Sequence, residues 1–161
     1  MTLLLLAHAH AADWDQKGDD RRASFGYDAG QGVGLGIILG YPTGFSVAYH
    51  PESRIWFDGA VAWAFNKAIH VQADACLTLS EMRSGDIPNA IFPVWVGVGP
   101  QIQVGSADVP NVGIRIPFGM GVMVHGTPVE GFLELVPGIG IAPETTGFFE
   151  GGIGARFYLP P

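Results

Sequence analysis

From Gly32 to Leu159 the chain repeats one unit, a run of about ten residues in which bulky apolar side chains alternate with glycine, alanine or a polar group, closed by turn-forming residues. Alternation of this kind marks strands whose two faces meet different surroundings. Here one face suits hydrocarbon, while the other mixes very small side chains with ionisable ones. A water-washed face would carry Lys and Glu without the glycine. A crowded polar interior fits better, which is how the strands of a membrane-spanning β-barrel read.

Turn chemistry divides the sequence into eight runs: residues 33–40, 44–50, 54–65, 69–79, 91–104, 111–124, 129–142 and 147–159. An even number of strands with mostly short connections predicts an all-β fold, an eight-stranded antiparallel up-and-down β-barrel of outer-membrane type over residues 32–159. No stretch reaches 18 uninterrupted apolar residues, although 48% of the chain is hydrophobic and only 14% charged. A spanning helix is therefore excluded, and entry into a bilayer requires strands closed on themselves. The eight Lys and Arg are scattered through a chain of net charge −7, which argues against nucleic acid as a partner. Cys76 is the only cysteine, so neither an internal disulfide nor a Cys-rich zinc site can form.

Ahead of the strands, residues 13–31 are polar and charged, with Asp13, Asp15, Asp19 and Asp20 beside Lys17, Arg21 and Arg22, and should form a surface segment. Residues 1–12 look like the tail of a secretory signal peptide: Leu3 to Leu6 lead into small residues, with cleavage expected near Ala11 or Ala12. The basic start of such a leader is missing. His8 and His10, in that leader, fix no metal geometry.

Strict alternation also assigns the faces. Leu35, Ile37, Phe45, Val47, Phe57, Val61, Val94, Val96, Ile116, Leu135, Ile153 and Phe157 share the outer side, a nearly uncharged belt. Gly34, Gly36, Ser46, Asp58, Ala60, His70, Gln72, Asp74, Gln101, Arg115, Glu134, Glu150, Gly154 and Arg156 share the inner one. Keeping Asp58 and Asp74 on one face requires an odd connection, expected at Asn66, Lys67 and Ala68. A five-residue loop from Pro143 to Gly147 would set Ala142 opposite Phe148 and Glu134 opposite Arg156. Buried ion pairs survive only with good geometry and further hydrogen bonds, so Asp58, Asp74, Arg115, Glu134, Glu150 and Arg156 are expected to form one lumenal network, with His70 on the same face. Pro93, Pro100, Pro117 and Pro137 fall inside strands and should each mark a bulge or a ladder defect. A long loop over 80–90 falls, by parity, at the end holding the chain termini. Outer-membrane barrels usually keep short turns there.

Signals for chemistry are weak. His70 and Asp74 stand four apart on one strand, too far along it to share a metal unaided, at about 3.4 Å per residue. Buried carboxylates can serve acid/base catalysis, yet structural networks hold them too, and no substrate cleft is visible. Ser46 and His50 share a face without a nucleophile elbow or a third partner. The glycines at 32, 34 and 36 precede no helix that could hold a phosphate. Several of Trp14, Trp56, Trp63, Trp95, Tyr27, Tyr41, Tyr49 and Tyr158 lie near strand ends, where an interfacial girdle would place them. No catalytic residue, cofactor or metal is expected.

The segments Gly34-Leu35-Gly36-Ile37-Ile38-Leu39-Gly40-Tyr41-Pro42-Thr43-Gly44, Phe57-Asp58-Gly59-Ala60-Val61-Ala62-Trp63, Gly113-Ile114-Arg115-Ile116-Pro117-Phe118-Gly119, Leu133-Glu134-Leu135-Val136-Pro137-Gly138 and Gly151-Gly152-Ile153-Gly154-Ala155-Arg156-Phe157-Tyr158 resemble a family of small, mostly uncharacterised bacterial outer-membrane proteins. That family is thought to form eight-stranded barrels broadly similar to the outer membrane protein A transmembrane domain. The resemblance implies a Gram-negative bacterium, an exported protein in the outer membrane, and lipid as partner. Gly154 to Leu159 also resembles the terminal strand signal read by the barrel-assembly machinery, although Pro160 and Pro161 follow it. The expected function is a non-enzymatic barrel with a filled polar lumen and a structural or interaction role, of unknown oligomeric state. The alternatives are a soluble periplasmic lipocalin-like barrel binding a hydrophobic ligand and, third, a lipid-modifying membrane barrel enzyme.

Overall fold

Each alternating run becomes a strand because its β-branched and aromatic residues suit a pleated surface and proline or glycine ends it. The computed structural model describes residues 32–51, 54–63, 68–83, 90–105, 109–124 and 126–159. The expected leader (1–12) and polar segment (13–31) lie outside the described residues, as do Asn66 and Lys67. The strands are β1 (Gly32–Tyr41), β2 (Thr43–His50), β3 (Ile55–Trp63), β4 (Ile69–Arg83), β5 (Ala90–Val104), β6 (Asn111–Arg115), β7 (Phe118–Val124), β8 (Val129–Ala142) and β9 (Thr146–Leu159). No helix occurs among the described residues.

All pairings are antiparallel and they close a ring: β1 pairs with β2 and β9, β2 with β3, β3 with β4, β4 with β5, and β8 with β9. The remaining place, between β5 and β8, is filled by β6 and β7 together. Arg115 opposite Gly99 and Phe118 opposite Val96 keep one register on β5, and Arg115 opposite Gly138 and Phe118 opposite Leu135 keep one register on β8. β6 and β7 are thus one strand interrupted at Ile116-Pro117, and the ring has eight places. Closure leaves no strand with a long bare edge. The cross-strand row Tyr41, Gly151, Leu135, Phe118, Val96, Leu77, Ile55 starts at one end of β1 and finishes at the opposite end of β3. The strands are therefore strongly inclined to the ring axis, as closure requires.

The prolines cluster their damage. Pro117 and Pro137 fall in a single gap between the pairs Arg115–Gly138 and Phe118–Leu135, so two missing N–H groups cost one interruption. Across that gap Ile116 N–H donates to the Pro137 carbonyl at 2.9 Å and Gly97 N–H to the Pro117 carbonyl at 2.8 Å. On its other side Pro137 pairs with Phe149 in an unbroken β8–β9 ladder. Pro100 lies where the β4–β5 ladder skips from Gln72–Gln101 to Ala75–Val98, and Pro93 lies beside a register shift between Thr78 and Ser80.

Two connections differ from the expectation. The predicted 80–90 loop is partly strand: Ser80 to Arg83 pair with Val94, Pro93, Phe92 and Ile91. The polar stretch lacks alternation but zips because its partner is already held by β7. Trp63 lies opposite Ile69, where a three-residue connection would have placed Val71. The offset is two residues, so Asp58 and Asp74 still share a face and in fact stand directly opposite each other.

Side chains alternate between an exposed outer face and a buried inner one on every strand. The interior is not only small and charged. Ile38, Trp56, Trp95, Phe132, Val136 and Tyr158 are buried there too. Glycine makes room for the rings: a Cβ on Gly119 would collide with Trp95, on Gly154 with Phe132, on Gly138 with Phe148, and on Gly34 would stand 2.8 Å from Tyr158. In each case the aromatic residue is the glycine's direct cross-strand partner.

Candidate functional site

The ionisable side chains of the interior come from β2, β3, β4, β6, β8 and β9, each at an inward position of its strand. Asp58, His70, Asp74, Arg115, Glu134, Glu150 and Arg156 are all buried. Their contacts fall into three groups.

The first surrounds Arg156. Its Nη2 donates to Asp58 Oδ2 at 2.8 Å and its Nε to Ser46 Oγ at 2.9 Å, while Nη1 lies 3.5 Å from Glu130 Oε2. Gly59 N–H donates to Asp58 Oδ1 at 2.8 Å, and the Tyr158 hydroxyl donates to Glu130 Oε2 at 2.6 Å. The guanidinium sits 4.0 Å from the centre of the Phe132 ring. A cation so held is matched by two carboxylates and a π face, which is the condition for a buried ion pair to be stable. Beside it, nearer Gly32 and Leu159, His50 stacks on Trp56 at 4.3 Å, Tyr158 meets His50 edge-on, and Trp95 meets Trp56 edge-on. These rings are buried and packed against one another.

Arg115 organises the second group, with Nε 3.3 Å from Asp74 Oδ2 and Nη2 3.7 Å from Glu134 Oε2. Asp58 and Asp74 are cross-strand neighbours of like charge, a destabilising pair by itself. Each is answered by a different arginine.

The third group reaches across the ring, from the neighbouring strands β4 and β5 to β9. Gln101 on β5 donates from Nε2 to Glu150 Oε1 on β9 at 2.8 Å, and the same nitrogen lies 3.0 Å from His70 Nδ1 on β4. An amide nitrogen has only hydrogens to offer, so His70 Nδ1 is the acceptor.

The register corrects one expected pairing. Glu134 stands opposite Gly152, and the residue opposite Arg156 is Glu130. The connection spans 141–145, from Gly140 opposite Thr146, not 143–147. Moving the pairing by an even step keeps every side chain on its face, so alternation cannot distinguish the two registers. Glu130 was accordingly missed, although it shares the inward parity of Glu134. Ser46 and Gln101 were recognised as inward but not as the groups that tie arginine and glutamate in place.

Ser46 and His50, which share a face in the sequence, are each held by other partners. Ser46 is engaged by Arg156 and Asp58, and His50 is stacked on Trp56. No three His, Cys, Asp or Glu side chains among the described residues come together as a metal group. Cys76 is buried and unpaired. The arrangement cross-links strands through charge, hydrogen bonds and ring packing. Comparison of the chain with protein-family models, with curated proteins and with solved structures finds no match.

Proposed function

We propose that this chain is a small outer-membrane β-barrel protein, non-enzymatic, whose apolar outer wall lies in lipid and whose filled interior locks the strands together for a structural or interaction role. The observation that carries the reading is the outer wall. Leu39, Phe45, Val61, Ile69, Val98, Phe118, Leu135, Ile139, Phe149 and Ile153 are exposed around the whole ring, with no Asp, Glu, Lys or Arg at the outward positions between them. Soluble monomers rarely leave apolar patches beyond a few hundred Å². Lipid accepts such a wall without cost, and strands of 8 to 15 residues, with one place split at proline, are long enough to cross when tilted. Tyr41 and Trp63 at one end and Tyr49 at the other lie where an interfacial girdle belongs.

The inner face supports the non-enzymatic part. Asp58 and Glu130 face Arg156, Asp74 and Glu134 face Arg115, and Trp56, Trp95, Phe132 and Tyr158 are buried inside the ring. Single cysteines at Val94, Val96, Ile116 and Leu135, in a Cys76→Ala background, test the wall. In membranes they should resist a water-soluble maleimide, and they should react after denaturation. Recovery of the protein as a water-soluble monomer with those cysteines reactive would replace the membrane barrel with a lipocalin-like carrier.

A further inference from the structure

Towards the end of the ring away from Gly32 and Leu159, several buried amide and carboxylate oxygens of the interior accept no hydrogen bond, while Arg115 Nε and Nη1 and His70 Nε2 donate none. Gln101 turns its amide nitrogen to Glu150 and His70, and its Oε1 accepts no hydrogen bond. Gln72, directly opposite Gln101 on β4, also has an Oε1 without a partner. Glu150 Oε2 is in the same condition, and Asp74 accepts no hydrogen bond although Arg115 Nε stands 3.3 Å from its Oδ2. Gln72 is 6% exposed and Gln101 5%, so bulk water does not satisfy them. Buried polar atoms normally find partners, and this many unpaired acceptors on one stretch of wall call for a positively charged one.

Charge points the same way. Five buried carboxylates, Asp58, Asp74, Glu130, Glu134 and Glu150, share the interior with two buried arginines, Arg115 and Arg156, while His70, whose Nδ1 accepts from Gln101, adds no positive charge. With its acids ionised the interior holds three more negative charges than positive ones. Uncompensated buried charge is expensive. We propose that this part of the interior binds a divalent cation, received by the amide oxygens of Gln72 and Gln101 and by the Glu150 carboxylate, with Asp74 next along β4 as the second counter-charge. All-oxygen donors select a hard ion of the magnesium or calcium kind. Because no three acidic or histidine side chains among the described residues converge as a metal group, the ion keeps part of its water shell, as magnesium commonly does. The site does not depend on whether the outer wall meets lipid.

The test uses the full chain, folded in detergent and freed of metal by chelator, titrated with Mn²⁺ and read by electron paramagnetic resonance. A single Mn²⁺ per chain should bind and be displaced by Mg²⁺. Glu150→Gln and Gln101→Leu should weaken it roughly tenfold or more. Glu144→Gln, in the exposed turn at the same end, should leave binding unchanged. Absence of stoichiometric binding, as expected if protons or water alone occupy the region, would overturn the proposal. So would binding lost in Glu144→Gln and kept in Glu150→Gln. Should the interior variants fail to fold, the wild type decides: bound Mn²⁺ must broaden the Gln72 and Gln101 side-chain amide resonances more than the Trp56 indole N–H. Equal broadening sinks the idea.

Discussion

Arg156 carries more of the interior than any other single residue, since it holds Asp58, Ser46, Glu130 and the Phe132 ring at once. Arg156→Met would leave two buried carboxylates without their cation, at a cost of about 3–5 kcal/mol. Denaturant unfolding in detergent should show that loss, and adding Asp58→Asn and Glu130→Gln should recover part of it. Glycine acts at the same scale by absence of a side chain. A methyl on Gly154 meets both the Phe132 ring and the Ile37 carbonyl, and the carbonyl cannot turn aside, so Gly154→Ala should destabilise by about 1–3 kcal/mol. Gly147→Ala, with open space around its Cβ, is the control. The side on which each of these residues stands was readable from alternation alone. What Arg156 touches was not, because the contacts join β2, β3, β8 and β9, which no local pattern relates.

At the scale of the strand, register and face obey different signals. Alternation separates Leu135 from its neighbours Glu134 and Val136, and it does so wherever the strand is paired. Leu135→Arg should therefore cost about 2–4 kcal/mol in a bilayer if its place is near the midplane, measured by unfolding from lipid vesicles. A cost near zero would show that Leu135 meets water. Register depends instead on where each hairpin turns, and a slip by an even number of residues, four for the partner of Arg156, changes partners without changing sides. Hence the inward set was legible while the partnership of Arg156 with Glu130 was not. Proline gave partial warning: Pro117 does split a strand, but its sharing of one gap with Pro137 needs the two ladders side by side. Ser80 to Arg83 gave no warning, since their strand conformation is imposed by β5.

For the whole molecule, closure and filling were both foreseeable in kind, from an even number of strands and an inner face of small residues. The rings that complete the filling were not, because a tryptophan at an inward position reads equally as girdle or as core. Trp56, Trp95, Phe132 and Tyr158 across the interior predict that the purified protein shows no steady conductance in planar bilayers. Sustained ion current through single molecules would contradict the packing. Finally, the first and last strands are hydrogen-bonded neighbours, Val33 facing Leu159 and Gly34 facing Tyr158. Nothing in the finished ring distinguishes that seam from any other, so a circular permutant that tethers Leu159 to Gly32 and is cut in the exposed turn at 143–145 should assemble the same wall. The order in which the strands are synthesised would then be an accident of the gene, not a requirement of the shape.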